Sequence, residues 1–342
     1  MDIENEKNNV LFKFILIIII FFLIRVISLN SYLQLLIKNK SNNKIKYKYF
    51  CNRYNDLLQS YIENRTEFYI KGRQILMRSI GKDYNDSKIN NFQDKLNWLL
   101  VHESPELKTD IVDKILLRNY SRKILGKDIC VPIIKIYDNI KEINLDELPE
   151  KFVLKCNHGS QMNIICQNKS EFNLNDAKKQ LNKWIKLNYA LIGYEYQYLN
   201  VKRKVFSEVY LKDNLTDYKF YCFNGFPKLI KVQSKYYKKG IKMYHYYDEN
   251  WKKTDIETNL PENIKLNNDF PKPKYFNLML EYAKKFAKNF SFIRVDLYEF
   301  NDTVYLSELT FTPANDRTPY KDEKQRIYLG NLLDLSKVKT NN

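Results

Sequence analysis

Apolar positions along this chain follow three patterns. At the N-terminus, Phe14 to Ile24 (FILIIIIFFLI) is an unbroken apolar run of 11 residues. Extended from Val10 to Leu29, it reaches 20 residues and encloses Lys13 and Arg25. About 20 helical residues span a bilayer, and long charged stems near the ends reach its surface. The run predicts a transmembrane helix that anchors the chain within residues 1–30. A signal peptide is the rival reading, but SLNSYLQLL follows and no small-residue cleavage site does. Residues 31–91 read as a linker rich in Lys, Asn and Tyr that runs into helix. Through 57–127 apolar residues recur at three- and four-residue spacing, as in Leu96, Leu99 and Leu100, then Ile111, Ile115 and Leu116. That spacing predicts helices.

Past residue 130 short apolar runs take over. Strands are predicted at 131–137 (VPIIKIY), 152–157 (FVLKCN), 205–211, 219–223 and 229–233. Asn224–Gly225 joins the last two as a hairpin signal. An amphipathic helix is predicted over 177–188, and Pro273 opens another that runs to about Asn289. Two final strands, 292–300 and 303–311, are joined by Asn301–Asp302. Helices followed by a strand-rich half read as α+β or α/β.

Composition narrows the classes. With 44% hydrophobic and 15% aromatic residues the chain is not disordered, and 8 Gly and 9 Pro exclude a collagen-like fold. Five Cys without CxxC spacing and three scattered His argue against a disulfide scaffold, a structural zinc site or an HExxH enzyme. The net charge of +17 suits an anionic partner, although Lys, Asn, Ile and Tyr are inflated together and charge alone names none. Zinc spacing, RNP-type aromatics and a basic helix are all missing, so no nucleic-acid partner is expected. Lys38, Lys40, Lys44, Lys46 and Lys48 follow the apolar run and favour a cytosolic main domain. Eight Asn-X-Ser/Thr sequons, among them Asn119, Asn168 and Asn301, keep a lumenal one open.

Candidate chemistry sits on the later strands. Alternation puts Arg294 and Asp296 on one face, and Glu308 and Thr310 can share it across the turn at 301–302. Adjacent carboxylates repel unless a cation lies between them, and hard cations such as Mg²⁺ take oxygen ligands. A solvated acidic pair would look the same. Lys155 ends an apolar strand and precedes Asn157–His158–Gly159–Ser160, a small polar loop that can offer N–H groups to a phosphate. Lys114 on a predicted helix and Glu208 within FSEVYLKD are, each alone, ordinary surface residues.

Their order is more telling. Lys in a helix comes first, then strand–Lys–small-residue loop, then strand–Glu, and last Arg-x-Asp and Glu-x-Thr on paired strands. This order resembles an ATP-grasp enzyme. DKILLRNYSRKILG (113–126), FVLKCNHGS (152–160), DYKFYCFNG (217–225), FIRVDLYEF (292–300) and LSELTFTP (306–313) are similar to the TupA-like (teichuronopeptide biosynthesis) branch over about 92–335. The resemblance implies two α+β subdomains that clamp ATP. It also implies a Mg²⁺-dependent ligase that joins a carboxylate and an amine through an acyl phosphate, in polysaccharide or peptide-polymer modification. Lys114, Lys155, Gly159 and Ser160 would hold phosphates, Glu208 and the backbone to Leu211 the adenine, and Asp217 the ribose or substrate. Lys219 would meet a phosphate and Arg294 the transferred phosphoryl group. Asp296, Glu308 and Thr310 would be the metal ligands. Relatives often carry Gly where Gln161 stands, Gly after the Pro of TPANDR, and Asn at Thr310. A membrane-anchored glycosyltransferase is the alternative, although no D-x-D motif occurs.

Overall fold

The computed structural model describes residues 89–338, except 104–107, 192–193, 214, 237–240, 259–268 and 317. The anchor at 1–30 and nearly all of 31–91 lie outside the described residues. Among the described residues, no helix is long and apolar enough to cross a membrane.

Three short helices come first: α1 (Phe92–His102), α2 (Lys108–Val112) and α3 (Leu117–Leu125). The periodicity through Ile111, Ile115 and Leu116 predicts one helix there, but the chain breaks after Val112. Asp113 is the cause. Its carboxylate accepts from the backbone N–H of Ile115 (2.8 Å) and Leu116 (3.3 Å), a local alternative to the helical ladder. Lys114, expected on a helix, therefore stands in a turn.

Strands β1 (Ile133–Tyr137), β2 (Phe152–Cys156), β3 (Asn163–Cys166) and β4 (Val205–Val209) form one sheet in the order β1-β4-β2-β3. Helix α4 (Leu174–Ile185) packs Ala177 and Leu181 against Tyr137, Phe152, Leu154, Cys156 and Val205. It starts three residues before the predicted helix, because the Asn173 side chain accepts from Asp176 N at 3.1 Å and caps it there.

Strands β5 (Asp217–Phe223), β6 (Phe226–Tyr236), β7 (Ile241–Tyr247), β8 (Phe292–Phe300) and β9 (Thr303–Thr310) form the second sheet, in the order β7-β6-β5-β8-β9. Every strand pair in both sheets is antiparallel, which decides for α+β. One face of this sheet buries Phe220, Ile230, Ile293 and Val295 under helix α5 (Phe276–Ala287), through Phe276, Met279, Ala283 and Phe286. The opposite face has two parts. Tyr221, Phe223, Leu229 and Phe292 pack against Phe92, Leu96 and Leu99 of α1 and Leu329 of helix α6 (Glu323–Asn331). The rest of that face carries charge.

The β5–β6 turn holds the C-terminal segment. The Asn224 carboxamide donates to Asp334 O (2.9 Å) and accepts from Asp334 N (2.8 Å). Asn224 and Gly225 sit at φ 46° and 87°, as a tight hairpin requires.

Candidate active site

The charged face of the second sheet is set by register. Lys219 lies opposite Asp296, Asp296 opposite Glu308, and Arg294 opposite Thr310. Arg294 donates through Nε to Asp296 Oδ1 (2.6 Å) and through Nη2 to Asp296 Oδ2 and Glu308 Oε1, both at 2.7 Å. The same Nη2 reaches Thr310 Oγ1 at 3.1 Å, and that hydroxyl donates to Glu308 Oε1 at 3.1 Å. Lys219 donates to Asp296 Oδ2 at 2.6 Å, with Asp217 3.6 Å away.

Asp296 is 1% exposed. Burial pushes its carboxyl above the ordinary value, against the pull of Arg294 and Lys219. Burial also opposes the charge of Lys219, but Asp296 and Asp217 outweigh it and hold that ammonium high. Glu308 likewise resists desolvation, because Lys114, Arg294 and Lys219 hold it down at about 2.

The first sheet contributes less charge. Lys155 is ion-paired with Glu208 on the neighbouring strand. Alternation places Ile133, Ile136, Val153, Ile165 and Phe206 on the same face, a largely apolar setting for one ion pair.

The loop after β2 is held by its backbone neighbours. Asn157 donates to Asp113 Oδ2 and Lys202 O, both at 2.9 Å, and accepts from Lys204 N at 2.8 Å. The His158 ring lies 3.1 Å from Trp184 O, and burial lowers its pKa to about 4. A Cβ on Gly159 would stand 2.7 Å from the Tyr189 ring, so the close packing there needs glycine. Gln161 takes φ 60° and Ala314, after the Pro of TPANDR, φ 52°. Both positions where the resemblance leads one to expect Gly thus lie in the left-handed region.

Lys114 joins the two sheets. Its backbone N–H donates to Asn157 O at 3.3 Å, and its Nζ donates to Gly159 O at 2.7 Å. The same Nζ is 3.9 Å from Glu308 Oε2. Burial lowers its pKa, against the Glu308 carboxylate.

The structure therefore brings together Lys114, Gly159, Lys219, Asp217, Arg294, Asp296, Glu308 and Thr310, with Lys155 and Glu208 acting electrostatically on Lys114. Ser160 is bonded to Tyr189, and Leu211 lies half-buried past β4. Sequence reasoning missed Asp113, Tyr189 and Tyr198, which carry no periodicity, and took Asn157 only as the start of the phosphate loop. For the two tyrosines the only signal is the Tyr-rich stretch NYALIGYEYQY before β4.

No group of three or more His, Cys, Asp or Glu among the described residues makes a metal site by itself. Asp296 and Glu308 still fit Mg²⁺, which usually takes one or two carboxylates and completes its shell with water and substrate phosphates. Arg294 Nη2, 2.7 Å from an oxygen of each, already marks the point between them where positive charge is stabilised.

A family model described as TupA-like ATPgrasp matches residues 94–334. Among solved structures, N5-carboxyaminoimidazole synthetase from Staphylococcus aureus complexed with ADP is 12% identical with a TM-score of 0.32, and the match covers 62% of this chain and 44% of that one. D-alanine–D-alanine ligase from Helicobacter pylori is 15% identical, with a TM-score of 0.37 and coverage of 73% and 70%. N5-carboxyaminoimidazole ribonucleotide synthetase from Thermotoga maritima is 14% identical, with a TM-score of 0.36 and coverage of 70% and 54%. The chain thus spans less than half of the first of these proteins. No curated protein matches it.

Proposed function

The chain belongs to the TupA-like ATP-grasp family, and we propose that it is an ATP- and Mg²⁺-dependent ligase that forms an amide between a carboxylate and an amine. One observation carries the reading. Lys114, held to the loop after β2, approaches Glu308 on β9, so a cation tied to the first sheet joins Lys219 and Arg294 of the second at one acidic pair. That arrangement suits a triphosphate.

In this reading a substrate carboxylate attacks the γ-phosphorus, ADP leaves, and an amine displaces phosphate from the acyl phosphate. Lys114, Lys155 and Lys219 neutralise the phosphates, and Arg294 meets the transferred group. Glu208 and the backbone to Leu211 border the adenine, and Asp217 the ribose. Asp296 and Glu308 would hold Mg²⁺, which supplies charge neutralisation when bound. The protein contributes position and charge and needs no covalent intermediate.

The net charge of +17 supports an acidic substrate, such as a polysaccharide or a peptide polymer. The 20-residue apolar run supports a membrane anchor, with residues 92–335 on the cytosolic side, where ATP is available. A glycosyltransferase finds no support in the family or in the motifs.

The test uses the full chain. A non-hydrolysable ATP analogue with Mg²⁺ is expected to raise the melting temperature, and UDP- and GDP-sugars are not. At 100-fold over Kd the gain is about 2.7 kcal/mol. Lys114→Met and Lys155→Met are each expected to abolish it. Stabilisation by nucleotide sugars alone would overturn the reading.

A further inference from the structure

Asp296 and Glu308 differ in how fully their oxygens are engaged. A carboxylate offers about four lone-pair sites. On Asp296 three are taken: Oδ1 by Arg294 Nε at 2.6 Å, and Oδ2 by Arg294 Nη2 at 2.7 Å and Lys219 Nζ at 2.6 Å. The side chain is 1% exposed, so the fourth is out of reach of a hydrated ion. On Glu308, Oε1 accepts from Arg294 Nη2 at 2.7 Å and from Thr310 Oγ1 at 3.1 Å. Oε2 lies 3.9 Å from Lys114 Nζ, beyond a hydrogen bond, and this side chain is 27% exposed. Glu308 therefore keeps an oxygen that a divalent ion can reach, whereas Arg294 closes Asp296.

A guanidinium and a Mg²⁺ ion thus claim the same oxygens. Mg²⁺ demands a near-octahedral shell at about 2.0–2.1 Å, and a lone pair that already accepts from Nη2 or Lys219 cannot also ligate it. Withdrawing Arg294 with nothing in its place would leave the buried Asp296 carboxylate to Lys219 alone, and an uncompensated buried charge is costly. Arg294 leaves only for a partner that suits its planar fork, as phosphate oxygens do. It leaves only when a second cation takes over the oxygens it gives up.

We propose that Arg294 makes divalent-cation binding conditional on the nucleotide. It keeps Asp296 closed until the phosphate oxygens of the nucleotide draw the guanidinium away, and the cation then takes the released oxygens together with Glu308. This role rests on the ligase reading and adds the order in which the site assembles. The coupling is reciprocal, so the cation tightens the nucleotide by the same factor. No covalent bond changes, and one positive charge replaces another over the same pair of carboxylates.

The experiment titrates the full chain with Mn²⁺, which suits the same oxygen ligands as Mg²⁺, and reads the free ion by electron paramagnetic resonance. Without nucleotide the wild type is expected to leave the free-ion signal nearly unchanged. With the ATP analogue it is expected to bind Mn²⁺ beyond what the analogue alone chelates. Arg294→Met is expected to bind Mn²⁺ without nucleotide about tenfold or more tightly than the wild type does, and Glu308→Gln added to it to remove that gain. Loss of a merely structural side chain would not create affinity for a metal. Arg294→Lys keeps the charge if Arg294→Met does not fold. A point-charge ammonium cannot fork over both Asp296 oxygens and Glu308, so a gain of about threefold or more is expected there. Tight Mn²⁺ binding by the nucleotide-free wild type, or no gain in a folded variant, overturns the role of Arg294 alone while the analogue still raises the melting temperature. A wild type that ignores the nucleotide overturns the ligase reading and this role with it.

Discussion

The two sheets supply the site in different ways. On the five-stranded sheet, Lys219, Arg294, Asp296, Glu308 and Thr310 are bonded to one another across three strands. On the four-stranded sheet one ion pair, Lys155 with Glu208, sits among apolar side chains, and the loop after β2 contributes mainly backbone. Side chains locked on rigid strands double as structure, whereas a loop presents its groups through conformation. Changes on the large sheet should therefore act first on stability. Changes at the loop should act through conformation and protonation.

The hardest test of that contrast is Arg294→Met. It leaves two carboxylates adjacent, one of them fully buried, and is expected to cost about 3–5 kcal/mol in urea denaturation. Adding Asp296→Asn should recover most of the loss, as removal of a shared charge predicts. A loss under about 1 kcal/mol would show that the lattice is not structural.

His158 tests the loop by pH. The unfolded imidazole takes a proton near 6.5 and the folded one only near 4. Its contribution is full above 6.5 and is lost as pH falls toward 4. The difference amounts to about 3 kcal/mol. His158→Gln, which keeps a donor for Trp184 O, should flatten the stability profile through that window. An unchanged slope would assign the acid sensitivity to other groups.

The smallest effect sharpens the role of backbone strain. Gln161→Gly and Ala314→Gly relieve left-handed φ values of 60° and 52°. Each should stabilise by about 0.5–1 kcal/mol, the left-handed penalty less the added freedom of the unfolded chain.

These two regions also differed in how far the sequence revealed them. The β8–β9 hairpin was legible because Asn301–Asp302 is a turn pair and alternation is clean on both sides. The register then pairs Asp296 with Glu308 despite a bulge just after them. Strand β7 was not legible, because it ends in four consecutive ring-bearing residues, YHYY, which show no alternation. Edge strand β3 has four residues, too few for a periodic signal. Lys114 was placed on a helix because apolar spacing continues through Ile115, whereas Asp113 ends the helix by a local bond that spacing does not report. Tyr189 and Tyr198 meet edge to face only when a connecting segment folds back over Gly159, an event with no pattern along the chain.

The clasp between Asn224 and Asp334 bears on chemical ageing. An Asn–Gly step deamidates when the side-chain carbonyl carbon is attacked by the next backbone nitrogen and closes a succinimide ring. Here both polar atoms of the Asn224 carboxamide are held by Asp334, so ring closure first requires the C-terminal segment to let go. The durability of this amide is therefore set by how firmly a segment 110 residues further along the chain stays docked.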